Sequence, residues 1–276
     1  MSFSVSNVVA SFELAIAIAG AVLLWRLVLS PSARATRRPP ALARWNATVV
    51  DFLTFLLFLL GGTFLAAAIG SLLAKSFSLR GDTLTVFTGS AAQIGMLGGV
   101  WLFWSRPERG RPAAPSGGAG IFMSGAATFL VSLPLLLVSA KLSEMAVKAL
   151  GLPTERQSLI AMFANADSPL LLAIMIALAV VVAPLTEELV FRAGLFRFLR
   201  SRIPRWLALV VSALLFASLH VNWVTLEGLT SFVPLAVLAV MFSLGYEQTG
   251  KIGTAIVAHA LFNLNTILLI FSGVGV

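Results

Sequence analysis

The sequence predicts an all-α, polytopic transmembrane helix bundle of about eight spans, on three observations. Hydrophobic residues make up 59% of the chain and charged residues 11%, against roughly 25% charged in a soluble domain. The apolar residues fall into eight stretches, 8–30, 48–74, 84–105, 120–141, 169–195, 205–225, 229–247 and 252–274. Each meets or approaches the ~20 residues that a helix needs to cross a ~30 Å hydrocarbon core. The basic residues collect between these stretches, as loop residues of a membrane protein do.

The first stretch reads as a retained span, because no Lys or Arg precedes Arg26 and a signal peptide begins with a basic segment. Arg34, Arg37, Arg38 and Arg44 lie between spans one and two, Arg106, Arg109 and Arg111 between three and four, and Arg197, Arg200, Arg202 and Arg205 between five and six. The alternate loops hold Lys75 and Arg80, then Lys141, Lys148 and Arg156, then none. Basic loops resist translocation, so the arginine-rich set is expected in the cytoplasm and both termini outside it. Residues 106–119 have the Pro, Gly and charge content of a flexible basic loop. They divide three N-terminal helices of unassigned role, 1–105, from a five-span unit, 120–276. Asp167, Ser168 and Pro169 look like the start of the fifth helix.

The net charge of +8 reads as topology and an anionic lipid surface, not as a nucleic-acid partner. The absence of cysteine excludes disulfides, thiolate metal ligands and a cysteine nucleophile.

Chemistry enters with polar residues inside the spans. Both histidines of the chain, His220 and His259, lie there, and Glu187 and Glu188 follow the apolar run Leu170 to Val182. Each ionisable group at such depth costs at least ~2.5 kcal/mol, and such groups usually face an interior cavity. Helical spacing puts Glu188 with Arg192, Phe216 with His220 and His259 with Asn263, each four apart on one face. Glu187 is rotated by about 100° from Glu188 and has no local cation. A hairpin turning near Ile203 and Pro204 sets Glu188 and His220 at matching depths, roughly 22–26 Å from the turn at ~1.5 Å per residue. His259 lies ~12 Å in from Lys251 by the same measure. A cavity opening toward the cytoplasm is therefore expected to hold all three. Carboxylates and imidazoles are the usual acids and bases of hydrolysis, and an asparagine amide can donate to an oxyanion. The same inventory suits a zinc site of His220, His259 and Glu187. Against it, the HExxH spacing of soluble zinc peptidases is absent, so no cofactor is favoured and zinc stays as the alternative.

EELVFR (Glu187 to Arg192), FASLH (Phe216 to His220) and HALFN (His259 to Asn263) resemble, in order, the EExxxR, FxxxH and HxxxN motifs of the CPBP intramembrane proteases. That family includes the CAAX prenyl proteases of Rce1 type and many bacterial relatives. YEQTGKIGTAIVAH also resembles the family's turn before its last motif, and the likeness covers about 120 to 272. The family's usual FRG is replaced by Phe191, Arg192, Ala193, Gly194. The resemblance implies a hydrolase, an intramembrane endopeptidase of the bacterial cytoplasmic (inner) membrane. Glu187 with His220 would activate water, His259 with Asn263 would stabilise the oxyanion, and Glu188 with Arg192 would hold the geometry. Its partner would be a membrane-embedded or lipid-anchored polypeptide substrate in the bilayer. Two other classes fit part of this pattern: an inactive relative acting as a binding or immunity protein, and a proton-coupled transporter. Glu13, Asp51 and Gln93 match no motif and are expected at interfaces or in packing. Glu227 and Glu247 are expected to reach water at span ends, and the Arg197–Arg205 cluster to mark topology.

Overall fold

The computed structural model describes residues 5–110, 118–154, 161–163, 166 and 168–273. Arg111, Arg156, Asp167 and most of the expected connector lie outside the described residues. Among the described residues all regular structure is helical. α1 runs Val5–Leu29 and is followed by a short α2, Pro31–Ala35. α3 is Val49–Ser76, α4 Gly81–Trp104, α5 Gly118–Ala149 and α6 Pro169–Arg200. α7 is Arg205–Ser218, α8 Leu229–Thr249 and α9 Ile252–Ser272. Seven of these are long and apolar enough to cross a membrane. Their outer faces stay apolar, as Leu57, Phe64, Leu65 and Leu72 of α3 illustrate, all exposed. A helix surface of that kind suits lipid.

Local chemistry sets the helix ends. α3 begins with a reciprocal cap, in which Asp51 N–H donates to Thr48 Oγ1 at 3.1 Å and Thr48 N–H to Asp51 Oδ2 at 2.7 Å. Asp51 is therefore a capping residue. At α6, Ser168 Oγ accepts from Leu171 N–H at 3.3 Å, with Pro169 in the first turn.

The expected sixth span, 205–225, is corrected. α7 ends after 14 residues, about 21 Å at ~1.5 Å rise. Asn222 explains the break: its Oδ1 accepts from Val224 N–H and Thr225 N–H at 3.0 and 3.3 Å, an Asx turn that competes with helix. Asn222 N–H closes the loop on the Glu227 carbonyl at 3.0 Å. A non-helical segment, 219–228, leads from α7 to Leu229.

The arginine-bearing loops gather at one end of the bundle. The stretch 37–48, without regular secondary structure, lies across that end. Leu42 N–H bonds the Glu247 carbonyl at 3.0 Å, Trp45 N–H bonds Ser201 Oγ at 2.8 Å, and the Trp45 indole bonds the Arg109 carbonyl at 2.8 Å. Trp45 is buried with Phe55, Phe103, Trp104 and Phe198 around it, ring centroids 6.1 to 6.2 Å away. Gly250, at φ 68°, joins α8 to α9, and Ala41 O lies 2.9 Å from where a Cβ would stand, so only glycine fits.

Glu247 does not reach water: it is 1% exposed and paired to Arg200 at 2.7 Å and to Arg205 at 2.7 Å. Arg197 is buried and donates to the Gly110 carbonyl at 2.8 Å. These arginines hold the loops together as well as marking the end.

α3 and α4 pack along their length, and a Cβ at Gly62 or Gly95 would overlap the carbonyl of the other residue. Small residues allow this backbone approach between membrane helices. Gly95→Leu is expected to destabilise the bundle by about 1–3 kcal/mol through overpacking. Gly98→Leu, where a side chain would meet open space, should stay within about 0.5 kcal/mol. Thermal aggregation in detergent compares the two; equal losses would contradict the packing argument.

Candidate active site

α6 carries Glu187, Glu188 and Arg192, α7 ends just before His220, and α9 carries His259 and Asn263. α6 is not a regular helix. Pro184 has no backbone N–H and its ring crowds the preceding turn, and α6 widens into π-helical turns at Leu178–Val182 and Leu189–Phe196, the kind that recurs at functional sites. In the first, Ala183 N–H bonds Leu178 O, five residues back. The next donor in that register would be Pro184, which has none, so the Ala179 carbonyl is left over. Asn263 takes it, with Nδ2 at 2.7 Å. One of the two amide hydrogens of Asn263 is thus committed to α6, and one remains.

Glu188 is fully buried and Arg192 is 1% exposed. Glu188 Oε1 is ion-paired with Arg192 Nη1 at 2.9 Å and hydrogen-bonded to His259 Nδ1 at 2.8 Å. The guanidinium lies over Phe216 at 4.5 Å and Phe242 at 5.6 Å, where aromatic faces help to hold a buried cation.

These contacts assign the imidazole tautomers. His259 Nδ1 faces a carboxylate and His220 Nδ1 lies 2.8 Å from the Phe216 carbonyl. Carbonyl and carboxylate oxygens only accept, so both rings carry hydrogen on Nδ1 and turn Nε2 the other way. Both Nε2 atoms face Glu187 Oε2, at 4.0 Å from His220 and 3.9 Å from His259. Oε2 itself is buried without a hydrogen-bond partner. Glu187 Oε2 and the two Nε2 atoms therefore converge on a gap of a width that one bridging water fills. Among the described residues no three His, Asp or Glu side chains stand in a metal-site arrangement.

The six residues expected from sequence fall in one neighbourhood. Glu187, His220, His259 and Asn263 line a cavity of about 440 Å³, and Glu188 and Arg192 sit behind them. Sequence reasoning missed α4, which adds Thr85, Val86, Gly89, Ser90 and Gln93 to the wall. Gln93 Oε1 is 3.0 Å from the Thr186 hydroxyl, next to Glu187. Its polarity inside an apolar helix was the available signal.

The direction of the cavity is a correction. The expectation was an opening at the arginine-bearing end, taken to be cytoplasmic. Beyond Glu187 the lining follows Ala183, Ala179 and Met175 on α6, and beyond His259 it follows Asn263, Thr266 and Ile270 on α9. Both paths lead to the other end. Toward the arginine end the space is filled by Arg192, Phe196, Phe242 and Tyr246, all 1% exposed or less.

Residues 169–265 match the family model of type II CAAX prenyl endopeptidases, Rce1-like. That segment, about a third of the chain, is similar to the Rce1-like family. The UPF0177 protein YbdI of Lactococcus lactis subsp. lactis (strain IL1403) is a curated relative, 33% identical over 93 residues. The matched part is 33% of this chain and 46% of that protein, so the chain spans about half the length of the curated relative it matches. No solved structure matches the chain. The matched segment contains all six site residues, whereas the α4 wall lies outside it.

Removing one partner of a buried ion pair leaves a bare charge, at about 3–5 kcal/mol. Glu188→Ala is expected to show that loss in thermal aggregation in detergent. Glu188→Leu combined with Arg192→Met should recover most of it, since paired apolar replacements remove both charges. A double variant as unstable as the single would contradict this account.

Proposed function

We propose that this multi-pass membrane protein is an intramembrane endopeptidase, with its catalytic core in residues 120–276 and its substrate a membrane-embedded or lipid-anchored polypeptide. The observation that carries the reading is the buried, unpartnered Glu187 Oε2 facing two imidazole Nε2 atoms across one cavity. In this reading a water in that gap gives one proton to Glu187 while His220 Nε2 accepts its second hydrogen as a hydrogen bond. The water oxygen attacks the scissile carbonyl carbon, and the carbonyl π pair moves onto oxygen. His259, with a second proton on Nε2, and the remaining N–H of Asn263 hold that oxyanion. The tetrahedral intermediate then collapses, the C–N bond breaks, and Glu187 returns its proton to the leaving amine.

The zinc alternative fits less well. Ligation by His220, His259 and Glu187 would leave Glu188 as the base, but Glu188 is fully buried and held by Arg192 and His259. It does not line the cavity. A single free carboxylate serves a glutamate base and not a ligand plus a base.

Glu187→Gln is expected to cut turnover roughly 10²–10⁴-fold with thermal stability unchanged. The readout is the set of new protein termini in membranes that contain the wild type and not the variant. Asn263→Ala should lower both turnover and stability, because the Ala179 carbonyl loses its donor. Purified protein should keep its activity after prolonged chelation. Activity lost to chelator and restored by zinc would replace this mechanism while leaving the peptidase reading in place.

A further inference from the structure

The cavity has a direction and so does the charge of the loops, and together they say from which leaflet the site is reached. Cavity-lining residues on four helices lie toward the same end of the bundle. On α6 and α9 they run from Glu187 back to Met175 and from His259 on to Ile270. On α4 they are Thr85 to Gln93, in the half nearer Gly81, and on α8 they are Ser231 and Leu235, next to its first residue, Leu229. Those helix ends lie opposite the end at which Trp45, Arg109, Ser201 and Glu247 are joined. The basic residues are divided unequally between the two ends. Lys75, Arg80, Lys141, Lys148 and Arg156 belong by sequence to the cavity end, and Lys141 and Lys148 are both bonded to Glu144. Apart from Arg192 inside the bundle, every other Lys and Arg belongs by sequence to the far end. The excess is the one that fixes orientation in a membrane and puts the arginine end in the cytoplasm.

We propose that the site is served from the non-cytoplasmic leaflet: it takes an apolar stretch of polypeptide presented there, through the space between α4, α6, α8 and α9, and is closed to the cytoplasm. This rests on the peptidase reading for the cut and on geometry alone for the access. The lining suits an apolar chain, with Val86, Met175, Leu178, Leu235, Phe262 and Ile270 supplying most of it. The hydroxyls of Ser90, Ser231 and Thr266 along the same wall can meet the backbone groups that an unwound substrate brings with it. Closure on the cytoplasmic side follows from the packed layer of Arg192, Phe196, Phe242 and Tyr246.

The chain has no cysteine, so single cysteines can be read without background. Thr85→Cys stands at the cavity end, where residue 85 is exposed and lines the cavity, and Arg44→Cys stands exposed at the arginine end. A charged, membrane-impermeant maleimide is applied to intact bacterial cells producing each variant and to inverted membrane vesicles. Thr85→Cys is expected to label in intact cells and Arg44→Cys only in inverted vesicles. The opposite pattern, or no labelling of Thr85→Cys from either side, overturns the proposal. In the second arm, termini that depend on Glu187 are mapped on their substrates. Cuts on the non-cytoplasmic side support the proposal, and cuts at the cytoplasmic surface overturn it. Failure of the peptidase reading looks different, since no terminus would then change with Glu187→Gln while the labelling pattern stayed as expected.

Discussion

The site is organised by one shared oxygen. Glu188 Oε1 holds Arg192 and His259 together, at 2.9 and 2.8 Å, with all three residues buried. A buried carboxylate, a buried guanidinium and an imidazole are each costly alone. Joined, they offset one another, and the remaining exposure of the cation is covered by Phe216 and Phe242. The arrangement divides labour between adjacent glutamates. Because Glu188 is occupied, Glu187 is the carboxylate left to face the cavity, and because Glu188 fixes the Nδ1 hydrogen of His259, the other ring nitrogen is aimed at Glu187. Such an outer hydrogen bond, which sets the tautomer of a working imidazole, recurs across unrelated active sites.

Much of this was legible in the sequence, because helical periodicity turns spacing into faces. Glu188 and Arg192, four apart, pair as read, and the depth arithmetic that brought His220 to the glutamates holds across the α6–α7 hairpin. What escaped depends on events that periodicity does not encode. Asn222 ends α7 early through side-chain bonds to its own backbone. The π-helical turns around Pro184 give Asn263 a partner on another helix. Glu247 looks like a residue at a wet helix end until Arg200 and Arg205 fold over it.

The direction of the cavity was the largest miss, and its cause is physical. Depth along a helix is readable from residue counts, but whether the space above or below a residue is filled depends on side chains from several helices at once. Phe196, Phe242 and Tyr246 come from two helices and close one side together. No one of them is distinctive in sequence. The wall from α4 escaped for the same reason, since Gly89 and Ser90 mean nothing until they stand opposite Ser231 and Leu235.

The non-helical stretch 37–48 has a consequence for biogenesis. It is synthesised long before most of the residues that hold it: Ser201, Glu247, Gln248 and Gly250 all lie in the last third of the chain. As the ribosome proceeds, α1, α3 and α4 are made while Ala41, Leu42 and the Trp45 N–H still lack their later partners. The N-terminal helices therefore wait, unlatched, for α8 to emerge, and Arg200 and Arg205 stay without their counter-ion until it does. A nascent chain halted before Glu247 would leave Arg200 and Arg205 without their counter-ion and the N–H groups of Ala41 and Leu42 without the carbonyls that accept them.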